Sequence, residues 1–445
     1  MSTNEGPSVQ YHVSAGGALN GTVRVPGDKS ISHRSIMLGA LAEGETEITG
    51  FLQGEDCLAT MNAFRAMGVS IEGPDESGRV RVKGVGLNGL QAPAEPLYLG
   101  NSGTSMRLLS GLLAGQRFDC ELSGDASLSR RPMGRVINPL TQMGADIQGH
   151  DRGLPPLKIK GGQALKGIDY VLPMASAQVK SALLLAGLYA EGETRVTEPA
   201  PTRDHTERML RAMGYVVETE GAVVKLQGRS ASLQACALEV PADISSAAFF
   251  MVGASIAEGS EILLTHVGIN PTRTGVINIL KLMGADITLE NERLVGGEPV
   301  ADIRVKSAQL QGIEIPEDQV PLAIDEFPVL FVAAACATGR TVLTGAEELR
   351  VKETDRLQAM ADGLTILGVK TQLQADGIII EGGSIGHGRV NSYGDHRIAM
   401  AFAMAALKAS GPIEIDDCAN VNTSFPGFVS LSQTTGLTIS QTQSA

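Results

Sequence analysis

Tryptophan is absent from the 445 residues and aromatics make up only 4%, so the interior has to be filled by Ala, Leu, Ile, Val and Met rather than by stacked rings. Cysteine is scarce. The five, at 57, 120, 236, 336 and 418, are odd in number and contain no C-x-x-C pair, which argues against a disulfide frame or a zinc knuckle and for a reducing cytoplasm. Basic residues are in deficit, 36 Lys and Arg against 49 Asp and Glu, for a formal charge of −13. An acidic body repels nucleic acid and anionic membrane at long range, so neither is an expected partner. No apolar run reaches the roughly 20 residues needed to cross a bilayer. The longest, Ile244 to Ala257, is interrupted by Ser and Gly, and the opening MSTNEGPSVQYHVSAGG has neither a basic residue nor an apolar core. A soluble, cytoplasmic protein without a signal or transit peptide is expected, with two domains on grounds of length.

Glycine, in contrast, is abundant at 53 residues, and it is periodic. Met67-Gly68, Met143-Gly144, Met213-Gly214, Met283-Gly284, Leu367-Gly368 and Thr435-Gly436 each precede a strand-like run, at spacings of 76, 70, 70, 84 and 68 residues. A second series, Gly44, Gly115, Gly192, Gly259, Gly339 and Gly411, follows segments that are apolar on most faces, such as SMRLLSGLLAG and FPVLFVAAACATG. Both series read as helices closed by glycine at the C-cap and followed by strands. Six βαβ-type units of about 70 residues result, with buried helices because the helices are greasy all round. Three units to a lobe place a boundary near Leu238 to Pro241.

The segments leading into these apolar helices are polar: Gly27-Asp28-Lys29-Ser30, Gly100-Asn101-Ser102-Gly103, Pro173-Met174-Ala175-Ser176, Pro241-Ala242-Asp243-Ile244-Ser245, Ala323-Ile324-Asp325-Glu326 and Tyr393-Gly394-Asp395-His396-Arg397. Helix N-termini attract anions, and several together would hold an anionic ligand. Asp243 and Ser245 read as plain helix caps. Lys29 and Arg34, cations near a helix N-terminus, call for a compensating anion. GDKS lacks the G-x-x-x-x-G-K-[ST] frame, which excludes a P-loop. Lys352 and Arg356 stand four apart with Glu353 between them, a spacing that by itself predicts an exposed, salt-bridged helix face. His33, His205 and His396 lack a ligand spacing, so no metal is expected and His205 reads as structural. Residues 1 to about 12 and Ser440 to Ala445 read as disordered tails.

Taken together, VPGDKSISHR, GNSGTSMR, RRPMGR, MASAQVKSA, TRDHTE, NPTRTG, AIDEFP, ELRVKETDR and GDHRIAM resemble, in order, the 5-enolpyruvylshikimate-3-phosphate synthase family. GDKS, SAQVK, RDHTE and NPTR are similar to its second bacterial class, which includes glyphosate-tolerant members. The resemblance runs from about Gly21 to Phe428. It implies an α/β fold of two lobes, each of three βαβαββ repeats with buried helices and outer sheets, an inside-out α/β barrel. The first lobe would span 26–240, the second 1–25 and 241–445, with crossover hinge segments near 20–26 and 237–241. It further implies transfer of the enolpyruvyl group of phosphoenolpyruvate to the 5-hydroxyl of shikimate 3-phosphate, with release of phosphate, on the route to chorismate and the aromatic amino acids. No cofactor is needed, and a monomer is the expected state.

Carried over by motif, Asp325 is the implied base for the hydroxyl, while Lys29 and Glu353 are the implied handlers of protons at the methylene and the leaving phosphate. Lys29, Ser30, Arg34, Ser176, Ala177, Gln178, Arg203, Asp325 and Lys352 are the implied contacts of shikimate 3-phosphate. Lys29, Gly103, Arg131, Gln178, Glu353, Arg356, His396 and Arg397 are those of phosphoenolpyruvate. Seven cations less Asp325 and Glu353 give 7 − 2 = +5, against roughly −5 to −6 on two phosphates and two carboxylates. Glyphosate is an expected inhibitor competing with phosphoenolpyruvate, because tolerant members carry alanine where this chain has Gly103. Thr423 replaces a basic residue of the other class. Two alternatives are an enolpyruvyl transferase acting on UDP-N-acetylglucosamine, and a non-catalytic repeat scaffold. The former commonly has a cysteine in a mobile loop, and Gly124 to Arg131 contains none.

Overall fold

The structure, a computed structural model, describes residues 9–443. Six apolar helices, α1 (Lys29–Leu41), α3 (Gly103–Ala114), α5 (Ala177–Gly187), α7 (Ile244–Ile256), α10 (Phe327–Cys336) and α12 (His396–Ala405), alternate with α2 (Glu55–Ala66), α4 (Gly134–Gln142), α6 (His205–Ala212), α8 (Gly275–Leu282), α11 (Arg356–Ile366) and α13 (Phe428–Thr435). A single turn, α9 (Val320–Ala323), precedes α10. The helices of the second set end identically. Gly68 N–H donates to Arg65 O and Val69 N–H to Phe64 O, and the same paired bonds recur at Gly144, Gly214, Gly284, Gly368 and Gly436. All six glycines have positive φ, the left-handed conformation that a Schellman cap demands.

Apart from Gly115, which is the C-cap of α3, the second glycine series departs from the expected C-caps. Helices α1, α7 and α10 stop at Ala42, Ala257 and Ala337, which are already extended, and their glycine turns the chain afterwards. Gly115 has φ −84 and is small for another reason: a Cβ there would lie 2.3 Å from the Tyr189 ring.

Each helix pair is accompanied by a sheet; five of the six sheets carry a parallel pairing at one edge, whereas that of Arg340–Leu343, Ile378–Glu381 and Lys370–Leu373 is antiparallel throughout. The chain forms two compact units. The first is Gly27–Val240 with Leu294–Glu298; the second is Met1–Pro26, Pro241–Arg293 and Pro299–Ala445. In the first unit Leu233–Gln234 and Ala237–Glu239 pair in parallel with Ala42–Thr49, so the third repeat closes onto the first. In the second, Asn20–Val23 runs parallel to Glu261–Gly268. The expected terminal tails are corrected: Val9–Val13 is hydrogen-bonded between Ile413–Asp416 and Ile439–Gln443, because alternate residues of these strands cover the core. Residues 1–8 and 444–445 lie outside the described residues.

Each unit has its own apolar core. All thirteen residues of α7 are buried, as its all-round apolar sequence requires. Strand Val80–Val85 buries Val80 and Val82 and exposes Arg81 and Lys83, placing sheets outside and helices inside. No helix among the described residues is long and apolar enough to cross a membrane.

Candidate active site

In the first unit the N-terminal turns of α1, α3 and α5 are bonded to one another. Asp28 caps α1 by accepting from Ile31 N at 2.8 Å, and Ser102 and Ser176 cap α3 and α5 in the same way. His33 of α1 is fully buried, with Nδ1 2.9 Å from Thr60 Oγ1 and 3.2 Å from Ser105 Oγ of α3. Burial holds its pKa well below the ordinary histidine value, helped by Lys29 and Arg34 and opposed by Asp28. Gln178 of α5 accepts from Arg107 Nη1 at 2.7 Å and donates to Thr104 Oγ1 at 3.0 Å. Arg34 donates to Thr206 Oγ1 at 2.7 Å, to Ser181 Oγ at 2.9 Å and to Ser30 O at 3.0 Å. Burial lowers its pKa to about 10 against the opposing pull of Glu207, with Arg203 adding to the decrease. Three positive helix ends thus share one place in the unit, where anions bind readily.

Lys29 is the first residue of α1 and pairs with Asp56 of α2. Ser30 follows it, and Ala177 opens α5. Arg131 donates through Nη2 to Asn101 Oδ1 at 2.5 Å and to Ser127 Oγ at 3.3 Å. Gly103 leaves room for these guanidinium groups: a Cβ would stand 2.8 Å from Arg107 Nη1 and 3.1 Å from Arg131 Nη1.

The second unit gathers Asp325, Lys352, Glu353, Arg356, His396 and Arg397. Asp325 Oδ1 lies 3.5 Å from Lys352 Nζ and 3.3 Å from Arg356 Nη1, and Oδ2 lies 4.0 Å from Arg397 Nη2. Arg356 is 1% exposed, donating to Glu353 Oε2 at 2.7 Å and to Asp395 at 2.8 Å and 3.3 Å. Burial pulls its pKa down, but Asp395, Glu353 and Asp325 outweigh burial and the net shift is upward. Asp395 also caps α12, accepting from Arg397 N at 2.9 Å, so one carboxylate fixes both the helix start carrying His396 and Arg397 and the Arg356 fork.

The reading of Lys352 to Arg356 as an exposed helical face is corrected. Lys352 and Glu353 precede the helix, α11 begins at Arg356, and Arg356 is buried, because its partners Asp325 and Asp395 come from distant segments. Asp56, Arg107, Glu326 and Asp395 were not singled out as site residues by sequence reasoning. Arg107, Glu326 and Asp395 stand inside the motifs GNSGTSMR, AIDEFP and GDHRIAM, where an acid or base flanking an assigned residue was the available signal. Counted unit by unit, Lys29, Arg34, Arg107, Arg131 and Arg203 against Asp56 give 5 − 1 = +4 in the first, and Lys352, Arg356 and Arg397 against Asp325, Glu326, Glu353 and Asp395 give 3 − 4 = −1 in the second. The positive part belongs to the first unit. Thr423 is buried and gives its hydroxyl to Asn420 O at 2.7 Å. Asp204, His205 and Glu298 bring potential ligand atoms within 4.8 Å of one another, yet Asp204 is held by Arg208 Nε at 2.9 Å on both oxygens and His205 Nδ1 lies 2.8 Å from Glu298. The group is a set of side-chain pairs rather than a cluster of spare ligands.

The family model described as EPSP synthase (3-phosphoshikimate 1-carboxyvinyltransferase) matches residues 13–431. The 3-phosphoshikimate 1-carboxyvinyltransferase of Alkalilimnicola ehrlichii is 69% identical over 434 residues, covering 97% of each chain. That of Methylococcus capsulatus is 67% identical, covering 97% of this chain and 98% of its own. A solved structure of EPSP synthase from Acinetobacter baumannii superposes with a TM-score of 0.88 at 62% identity, covering 98% of this chain and all of that one. Near-complete matches in sequence and in fold, on a chain whose polar residues gather at two sets of helix N-termini, lead to one conclusion: the chain belongs to the EPSP synthase family.

Proposed function

We propose that this chain transfers the enolpyruvyl group of phosphoenolpyruvate to the 5-hydroxyl of shikimate 3-phosphate and releases phosphate. The observation that carries this reading is the grouping of Lys352, Arg356 and Arg397 around the Asp325 carboxylate, with Glu353 on the same guanidinium. A base held among cations beside a second carboxylate suits a reaction that deprotonates a hydroxyl and moves a proton to and from a methylene carbon. Asp325 takes the proton of the 5-hydroxyl as oxygen attacks C2 of phosphoenolpyruvate. Lys29 and Glu353 deliver a proton to the methylene, then serve the elimination that expels phosphate from the tetrahedral adduct. Lys29, Ser30, Arg34, Ser176, Ala177, Gln178, Arg203 and Lys352 hold shikimate 3-phosphate. Gly103, Arg131, Gln178, Arg356, His396 and Arg397 hold phosphoenolpyruvate, where planar arginine forks match phosphate and carboxylate. A monomer carries every one of these residues on one chain. Five cysteines without a disulfide suit a reducing cytoplasm.

The test is phosphate release from phosphoenolpyruvate, with shikimate 3-phosphate and UDP-N-acetylglucosamine compared as acceptors. Release is expected with the first only, and Asp325→Asn should lower kcat by about 10²–10⁴. Release with UDP-N-acetylglucosamine alone, or unimpaired turnover by the variant, defeats the reading.

A further inference from the structure

We propose that Arg273 and Glu326 are positioning residues for the phosphoenolpyruvate side of the site, acting through Arg397. The proposal rests on the assignment of Asp325 and Arg397 above. Arg273 belongs to Asn270-Pro271-Thr272-Arg273, a motif that the reaction as described leaves without a role. The segment is a β-turn: Arg273 N donates to Asn270 O at 2.7 Å, and Asn270 Oδ1 accepts from Thr272 N at 2.9 Å and from Thr272 Oγ1 at 2.7 Å. Asn in the first position and Pro in the second are what such a turn prefers. Arg273 leaves the turn into the interior and is 3% exposed. Its Nη2 donates to Ser245 Oγ at 2.7 Å and to Asp243 Oδ1 at 3.1 Å. Ser245 Oγ donates onward to Glu326 Oε1.

Glu326 is the neighbour of Asp325 in the chain but is 2% exposed. It occupies the N-cap position of α10 without any side-chain capping bond, so helix capping does not account for its carboxylate. What it does meet is Arg397, whose Nη1 is 3.8 Å from the same Oε1 and donates to Asp325 O at 3.1 Å. One buried oxygen therefore joins the Arg273–Ser245 chain to the arginine that faces Asp325. A carboxylate buried this deeply is costly unless its partners are fixed, and here the partner is an arginine of the site. Removing the charge or the bridging hydroxyl frees Arg397 Nη1 to turn, and Nη2 with it, away from the place where a phosphoenolpyruvate carboxylate or phosphate is bound.

The experiment is steady-state kinetics of the full chain with both substrates varied, on wild type, Glu326→Gln, Ser245→Ala and the double variant. Glu326→Gln is expected to raise KM for phosphoenolpyruvate about tenfold, the loss of one charged hydrogen-bond network, while KM for shikimate 3-phosphate stays within about twofold. Ser245→Ala should move the same constant about threefold, and adding it to Glu326→Gln should add little, because both act on one chain of contacts. Arg273→Lys should retain more affinity for phosphoenolpyruvate than Arg273→Met. If Glu326→Gln does not fold, Ser245→Ala carries the test, since it leaves every charge in place. A wild type that releases phosphate while these variants keep its phosphoenolpyruvate KM, or raise both KM values equally, overturns the proposal alone. A wild type that releases none overturns the functional reading and this proposal with it.

Discussion

His33 shows how a single buried group ties the site to stability. Its ring reaches hydroxyls from α2 and α3, and Asp28, Lys29 and Arg34 are the charged groups that act on it from its own helix and cap. Because burial depresses its folded pKa below the ordinary 6.5, the unfolded chain takes a proton below that pH which the folded chain refuses. The stability is therefore fully present above about pH 6.5 and falls as pH is lowered, by about 1.4 kcal/mol per pH unit at the steepest. Urea midpoints measured from pH 7.5 to 5.5 should show this decline, and His33→Asn should flatten it; an unchanged slope in the variant refutes the assignment. Gly103 gives a second prediction at this scale. A methyl group there meets the Arg107 and Arg131 guanidinium groups, which leaves room for the compact, planar phosphoenolpyruvate more readily than for the longer glyphosate. Glyphosate is expected to compete with phosphoenolpyruvate in the native enzyme, and Gly103→Ala should raise the inhibition constant at least about tenfold more than the substrate KM, a discrimination of about 1.4 kcal/mol. Equal changes in the two constants refute it.

Buried helices approach one another closely, and the sequence pattern announces some of these contacts. A Cβ on Gly111 of α3 would lie 2.0 Å from Ala182 O of α5, and backbone of a buried helix cannot move aside. Gly111→Ala should cost about 3 kcal/mol. Gly39→Ala in α1 meets only the Thr46 side chain at 3.3 Å and gains about 1 kcal/mol of helix propensity, so it should be near neutral. Thermal denaturation of the two variants separates them, and equal losses would contradict this account of the contact. The same logic explains what was legible. The six Schellman caps follow from glycine spacing alone, because the cap needs its residue at one position and the requirement is local. The buried helices follow from their all-round apolar character. The fate of Arg356 was not legible, because Asp325 and Asp395 lie 31 and 39 residues away, and a local spacing rule sees only Lys352 and Glu353. Lys29 is a similar case, since Asp56 is 27 residues distant. Ser245 reads as a cap, and only the third dimension gives its hydroxyl to Glu326.

At the scale of the whole chain, the two units differ in how their rings of sheets are closed, and this predicts how each behaves when separated. The first unit closes on itself: Leu233–Gln234 and Ala237–Glu239 return to pair with Ala42–Thr49, near the start of the same segment. Its apolar core, among the described residues, runs from Ile31 to Val240 and draws on no residue outside that segment. The second unit depends on the chain's beginning. Asn20–Val23 supplies the parallel edge beside Glu261–Gly268, and Val9–Val13 fills the space between Ile413–Asp416 and Ile439–Gln443, with Tyr11, Val13, Leu19 and Val25 in its core. A strand missing from the middle of a sheet leaves two rows of backbone groups unpaired and exposes the apolar face beneath. Residues 27–240 expressed alone should therefore fold cooperatively, with a single urea transition and dispersed methyl resonances. Residues 241–445 alone should fail to do so until a peptide covering residues 9–26 is supplied. Independent folding of 241–445 without that peptide, or failure of 27–240, would show that closure of the sheets is not what makes each unit stable.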